Sequence, residues 1–364
     1  MLAAVERPLA IAGLGAFRGQ AASPLAAMCR SMAIPLLGNG TGRGLLAEDD
    51  MLGFSWPHAQ QAARHADCIV MIGEQFSQRL GYGQPPRFAT DAKFIQIDAD
   101  PAAFGRNRQV DIALAGDPGE IVTALSVALS ARRKHPFAGW LPARLAHRVA
   151  LIDRLTSQPG PAIHPLALGR AIQARLPAEA MVIGDGADIQ NWMYGALRVR
   201  RPGGFMDHYP LGAMGSGTPL AIGAAAALAE NAPAMTVLIT GDGSIGFHPA
   251  ELHAAALAGL NLKIIVGNDA AWGTEAHGQI AALGRTINTH LGMLPYARMA
   301  EGFGCTGLTC DTTDALESSL DQLFAAPGPA LLDVRIDPAA GAELKSNPLA
   351  NAILFSDIAS EGTE

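Results

Sequence analysis

The stretch Met235–Ala271 constrains the fold more than any other part of the chain. An apolar run, Met235-Thr236-Val237-Leu238-Ile239-Thr240, reads as a buried strand and breaks at Gly241-Asp242-Gly243-Ser244. An Ala/Leu-rich helical stretch follows from Pro249 to Gly259, with Pro near its start and Gly at its end. A second apolar run, Leu262-Lys263-Ile264-Ile265-Val266, ends in Gly267-Asn268-Asp269. A strand–helix–strand unit of this kind crosses over right-handed and sets its two strands parallel. Asp242 and Asp269 therefore stand at the carboxyl ends of neighbouring strands, where open α/β sheets bind ligands. Two carboxylates there can converge on one hard cation, which takes its remaining ligands from phosphates. Gly241 and Gly243 let phosphate oxygens approach the backbone, and a helix N-terminus favours their charge.

The same tripeptide occurs earlier in the chain. Gly184-Asp185-Gly186 follows the apolar run Met181-Val182-Ile183, but 27 residues beyond Asp185 stands Gly212, whereas 27 beyond Asp242 stands Asp269. The earlier tripeptide is therefore expected to be an ordinary strand-end turn.

The spacing of Gly241-Asp242-Gly243 to Asn268-Asp269 resembles the thiamine diphosphate fingerprint, in which GDG is followed, after a βα segment, by an asparagine pair. Asp269 stands where that family usually has the second asparagine. The resemblance implies thiamine diphosphate and Mg2+ as cofactors. It implies Asp242, Asp269 and the Ala271 carbonyl as metal ligands, with Gly241, Gly243, Ser244 and Asn268 also in the cofactor site. Leu211-Gly212-Ala213-Met214-Gly215 resembles the GAMG segment of acetolactate synthases. By that likeness Met214 is the apolar prop that bends the cofactor, and the Gly212 carbonyl accepts from its aminopyrimidine. As one of twelve methionines, Met214 has core filling as its ordinary alternative.

The 364 residues suggest two domains, and 49% apolar with 16% charged residues supply large cores. Apolar runs at Leu9–Ala12, Ile34–Leu37, Cys68–Ile72, Phe94–Ile97 and Ile112–Leu114 alternate with helical patterns, the signature of a doubly wound parallel sheet. The expected fold class is α/β, with two doubly wound parallel-sheet domains. A central Rossmann-like domain spans 1–130, a linker 131–160, the diphosphate-binding domain 161–338 and a C-terminal tail 339–364. For the tail, a lid, a partner-binding segment and a disordered end all stand open. The sequence around Gly73–Phe88 and Lys93–Pro118 resembles the central domain of acetolactate synthases, oxalyl-CoA decarboxylases and 2-hydroxyacyl-CoA lyases. That likeness does not choose among FAD, an adenine nucleotide such as ADP, coenzyme A (CoA) or no ligand. Gly13-Leu14-Gly15 is a weak nucleotide signal alone, and Asp98 is either a ribose acceptor or a cap.

The net charge of −7 and the lack of a basic stripe exclude nucleic acid as an expected partner. No apolar run of about 18 residues reads as a membrane span, and no secretory leader opens the sequence, so the expected location is cytoplasmic. Cys29, Cys68, Cys305 and Cys310 form no zinc pattern.

Members of the resembled family order three domains as pyrimidine-binding, central and diphosphate-binding, and the first carries a catalytic glutamate. The sequence supplies the latter two. The expectation is a large subunit working with a separate pyrimidine-domain subunit, most simply as two copies of each chain, with self-association through the diphosphate domain. A fragment and a non-catalytic cofactor-binding or regulatory subunit are the alternatives. The implied chemistry makes or breaks a C–C bond beside a carbonyl, as a decarboxylase, lyase or carboligase on 2-oxo acids, acyloins or acyl-CoAs. Trp272, Thr274, Glu275 and His277 follow the metal segment and are expected to face the reacting carbon, with Trp272 as a wall. His277 is either a proton-transfer group or a hydrogen-bonded loop histidine. His208 is placed near the substrate or in a solvated loop.

Overall fold

The structure, a computed structural model, describes residues 1–130, 139–157, 162–209, 211–231 and 234–340. By contacts these residues divide into two units: Met1–Val149 with Arg198–Phe205, and Ala150–Leu197 with Met206 onward. The expected linker thus holds the helix Trp140–Ser157, which the division cuts at residue 149. Arg198–Phe205, inside the expected second domain, joins the first unit. The tail from residue 341 lies outside the described residues.

The first unit contains β1 (Pro8–Ala12), β2 (Leu36–Gly38), β3 (Gly53–Ser55), β4 (Cys68–Ile72), β5 (Lys93–Asp98) and β6 (Ile112–Ala115). They form one parallel sheet in the order β3-β2-β1-β4-β5-β6. The period-two alternation of strands divides their side chains between two cores. Ala10, Ala12, Val70 and Ile72 pack with Leu25, Met28 and Met32 on one face. Leu9, Ile11, Ile69 and Met71 pack with Trp56, Phe88 and Phe94 on the other. Burial on both faces explains why these strands read as continuous apolar runs. Trp56 stacks on Phe88 with ring centroids 5.7 Å apart, and truncating either ring would cost about 3–5 kcal/mol.

In the same unit the Arg43 guanidinium binds Glu48 at 2.7 Å through two nitrogens, with both side chains 1% exposed. Glu48 also accepts from the Val199 amide at 3.0 Å, and Arg43 lies 4.4 Å over the Phe205 ring.

The second unit is built on β7 (Met181–Gly184), β8 (Phe205–Asp207, whose first residue the division counts with the first unit), β9 (Thr236–Gly241), β10 (Leu262–Asn268), β11 (Thr306–Cys310) and β12 (Ala330–Arg335). The sheet is again six-stranded and parallel, ordered β11-β12-β10-β9-β7-β8. The expected crossover is present: β9 and β10 pair in parallel from Thr236–Leu262 to Gly241–Gly267, with the helix Glu251–Leu257 between them. Two doubly wound α/β units match the fold class read from the sequence.

Among the described residues, no helix is long and apolar enough to cross a membrane.

Candidate functional site

A pocket opens at the carboxyl ends of β7, β9 and β10, lined among others by Gly186, Asp188, Met214, Asp242, Asp269 and Trp272. Each strand delivers its residues for a simple reason. Parallel pairing aligns Gly241 with Gly267, so the first residues past each strand, Asp242 and Asp269, emerge side by side. Asp242 opens a short helix over Asp242–Ile245, and the Gly243 amide donates to its Oδ1 at 2.8 Å. Its Oδ2 is buried without a hydrogen-bond partner, although Asp242 is only 3% exposed. The Tyr296 hydroxyl donates to the Asp242 carbonyl at 2.9 Å and braces the turn from behind.

The segment after β10 turns sharply at Ala270, which adopts φ +60° without being glycine. Asn268 pays for this conformation by accepting from the Ala270 amide at 3.2 Å, while the Ala271 amide donates to Asp269 Oδ1 at 3.3 Å. Glycine is required at two neighbouring points. A Cβ on Gly243 would lie 2.4 Å from the Trp272 ring, and one on Gly273 would lie 2.7 Å from Asp269 Oδ2. The pocket wall therefore closes onto bare backbone.

The electrostatics are dominated by crowded acids. Burial, then the neighbouring Asp269, pushes the Asp242 carboxyl up to about 7, against the pull of the Gly243, Ala271 and Ala270 amides. Burial, then Asp188, raises Asp269 to about 6. Burial raises Asp188 to about 6, with Glu275 adding to the rise and the Trp192 hydrogen bond opposing it. Buried carboxylates held this way favour a cation, because it stabilises the ionised forms that burial penalises. Among the described residues no three His, Cys, Asp or Glu side chains are grouped to hold a metal by themselves. A cation here would need further oxygens, from backbone or ligand phosphates, which suits a magnesium ion. The unpartnered Asp242 Oδ2 and the glycine-lined floor fit a diphosphate–metal group.

The structure brings Gly241, Asp242, Gly243, Ser244, Met214, Asp269, Ala271 and Glu275 to this pocket. Four other candidate residues are not among those lining it. The Asn268 side chain is fully buried and points to β12, donating to Asp333 Oδ1 at 3.0 Å. Gly212 is exposed, with φ +72°. His277 stands beside the pocket, its Nε2 3.7 Å from Asp188 Oδ1. His208 lies 3.4 Å from Asp185 Oδ1.

Sequence reasoning missed the part played by two acids. Asp188 lines the pocket and its Oδ2 accepts from Trp192 Nε1 at 3.1 Å. Its position three residues after Asp185, at the start of the helix Asp188–Ala196, was the available signal. Asp185, expected to close an ordinary turn, is instead fully buried and accepts from the amides of Gly186, Gly215 and Gly217. Counting forward 27 residues could not reveal this, because its partners lie 30 and 32 residues away and are backbone groups.

In the first unit, the strand order reverses between β1 and β4, which is where a nucleotide would bind. Glu74, just past β4, stands beside Gly13, just past β1. Its carboxylate oxygen lies 2.3 Å from where a Cβ on Gly13 would be, and it accepts from Asn39 Nδ2 at 2.9 Å. Asp98 accepts from the Asp100 amide at 2.9 Å, as a turn cap does.

Comparison with known proteins bears on both units. The model described as "Thiamine pyrophosphate enzyme, central domain" matches residues 1–125, and "Thiamine pyrophosphate enzyme, C-terminal TPP binding domain" matches 182–334. A probable acetolactate synthase of Mycobacterium bovis is 27% identical over 356 residues, covering 95% of this chain and 62% of the relative. Acetolactate synthase isozyme 2 large subunit of Escherichia coli is 29% identical, over 93% of this chain and 61% of the relative. A probable acetolactate synthase large subunit of Methanocaldococcus jannaschii is 29% identical, over 93% and 59%. The chain thus spans about three fifths of the length of the curated relatives it matches.

Proposed function

Because the chain belongs to the thiamine pyrophosphate enzyme family, we propose that it is the subunit of a carboligase, decarboxylase or lyase that binds thiamine diphosphate through Mg2+. The reading favoured by the relatives' names is an acetolactate synthase-like carboligase acting on 2-oxo acids. Asp242, Asp269 and the Ala271 carbonyl would hold the cation. Gly241 and Gly243 would admit the diphosphate, Ser244 would offer a donor, and Met214 would prop the bound cofactor. When bound, thiamine diphosphate supplies the electron sink that lets a C–C bond beside a carbonyl form or break.

The chain's own groups provide the rest. Trp272 and Met214 line the pocket and would wall the bound cofactor from solvent. Glu275 and His277 stand at or beside its mouth, where a proton can be delivered to a reacting carbon or taken from a hydroxyl. Glu275 is the one glutamate among the described pocket-lining residues, and it is exposed. We therefore assign the glutamate that would activate the aminopyrimidine to a pyrimidine-domain subunit, bound to a self-associated pair of these chains.

The observation that carries the reading is the pair Asp242 and Asp269 at adjacent strand ends, over glycine-lined backbone, within the region matched by the TPP-binding model. Calorimetry of the chain with thiamine diphosphate tests it. Binding that requires Mg2+ is expected, and absence of binding at saturating Mg2+ would overturn it. Turnover is then measured on pyruvate and other 2-oxo acids, with and without a co-expressed pyrimidine-domain chain.

A further inference from the structure

The loop Leu211–Gly217 carries Met214 into the pocket, and one buried side chain from β7's end holds it there. Asp185 is completely buried. Its Oδ1 accepts from the Gly186 amide at 2.7 Å, both oxygens lie 3.1 Å from the Gly215 amide, and Oδ2 accepts from Gly217 at 2.9 Å. A buried carboxylate is costly unless hydrogen-bonded, and bonds from N–H to an ionised oxygen are stronger than neutral ones. The side chain is thus committed to the loop.

The loop's composition permits this approach. A Cβ on Gly217 would lie 2.4 Å from the Asp185 Cβ. Gly215 adopts φ +87°, and a Cβ there would lie 2.4 Å from the Phe247 Cβ. Only bare backbone at both points lets the carboxylate reach the amides. At the loop's other end, Leu211 is 92% exposed and Gly212 is exposed with no heavy atom within 4 Å of a built Cβ. The fixed end is therefore the end next to Met214. His208 Nδ1, buried 3.4 Å from Asp185 Oδ1, closes the remaining side.

We infer that Asp185 is a positioning residue of the pocket: its carboxylate fixes the turn Met214–Gly217 and so sets how far Met214 enters beside Asp242. The clamp is independent of the ligand's identity; its effect on thiamine diphosphate rests on the function proposed above. Asp185 also meets the first amide of the helix Gly217–Asn231. A role as helix anchor alone would alter stability and leave ligand affinity unmoved.

Hydrogen–deuterium exchange of the ligand-free chain separates these roles. Asp185→Asn keeps the shape and removes the charge, turning an amide NH2 toward N–H donors. Peptides covering 211–219 should exchange at least about tenfold faster while β9 and β10 keep their protection. Thiamine diphosphate with Mg2+ should then bind about tenfold or more weakly, a loss of about 1.4 kcal/mol or more. Lys263→Met, which removes bonds from Lys263 Nζ to the carbonyls of Ala326 and Gly328, should lower the melting temperature without moving that affinity. Should Asp185→Asn not fold, Gly217→Ala forces the loop off the same carboxylate and must give the same pattern. Unchanged exchange at 211–219 overturns the clamp, and faster exchange with unchanged affinity reduces Asp185 to an anchor. If the unmutated chain binds no thiamine diphosphate, the functional reading fails and loop exchange alone decides the clamp.

Discussion

Asn268 donates its side-chain amide to Asp333 at 3.0 Å, so the first member of the pair Asn268-Asp269 faces β12 while the second faces the pocket. Burial holds the Asp333 carboxyl above the usual range, and Asn268 with the Tyr296 amide oppose that rise. Asn268→Ala should therefore act first on stability. Leaving a buried carboxylate short of a donor costs about 1–3 kcal/mol, read as a lower urea midpoint with an unchanged slope. Cofactor binding should weaken only through the loosened Ala270 turn.

Asp242→Ala should abolish Mg2+-dependent binding of thiamine diphosphate, because one hard ligand and its charge are lost. Asp269→Asn should retain the site or tighten it. The amide still offers an oxygen, and it removes a negative charge that repels the diphosphate. Calorimetry at matched Mg2+ distinguishes the two variants.

The pH dependence follows from the crowded acids. Asp242 near 7 and Asp188 and Asp269 near 6 all lie above their unfolded value near 4. The native state then binds protons more tightly than the unfolded chain between about pH 4 and 7, so stability falls as pH rises through that window. Scanning calorimetry should give a lower melting temperature at pH 8 than at pH 5.5. The drop should shrink in Asp242→Asn and on saturation with Mg2+ and thiamine diphosphate, which favour the ionised carboxylates.

Met214→Ala should reduce turnover more than it reduces cation affinity, since the side chain touches the pocket without a charged contact. A drop in kcat of about tenfold, equivalent to about 1.4 kcal/mol, with near-constant Mg2+ dependence is expected. Steady-state kinetics of the assembled enzyme check it.

Glu48→Ala should be among the most damaging changes in the first unit. Removing one partner of a buried ion pair costs about 3–5 kcal/mol, because the remaining charge keeps its desolvation penalty. Arg43→Met with Glu48→Leu should recover much of that loss in chemical denaturation.

Much of the fold was legible where burial was two-sided. Cys68–Ile72 is a strand at its expected limits, and Leu262–Val266 extends only to Asn268. The expected strand Ile34–Leu37 starts later, at Leu36. The short strands Gly53–Ser55 and Phe205–Asp207 were invisible, because GFS and FMD carry no apolar run such as the one that marks Leu36–Gly38. Thr306–Cys310, with sequence TGLTC, lies at a sheet edge and lacks an apolar pattern. In the candidate site, spacing brought out Asp242 and Asp269 because one crossover fixes both. Asp185, Asp188 and Tyr296 were hidden for the converse reason. The Gly215 and Gly217 partners of Asp185 and the Asp242 partner of Tyr296 arrive from other elements, Tyr296 reaching the Asp242 carbonyl across 54 residues of sequence, and Asp188 faces the pocket through the start of a helix that no spacing tied to Asp242.

The bare backbone at Gly243 that admits the Trp272 ring has an optical consequence. Trp56, Trp140 and Trp192 are buried to 2% exposure or less, so of the chain's four indoles only Trp272 is partly open to solvent. Its emission should be the red-shifted, quencher-accessible component of the chain's fluorescence. A ligand entering the pocket displaces water from that one ring, so the protein carries its own occupancy gauge, readable without label or turnover.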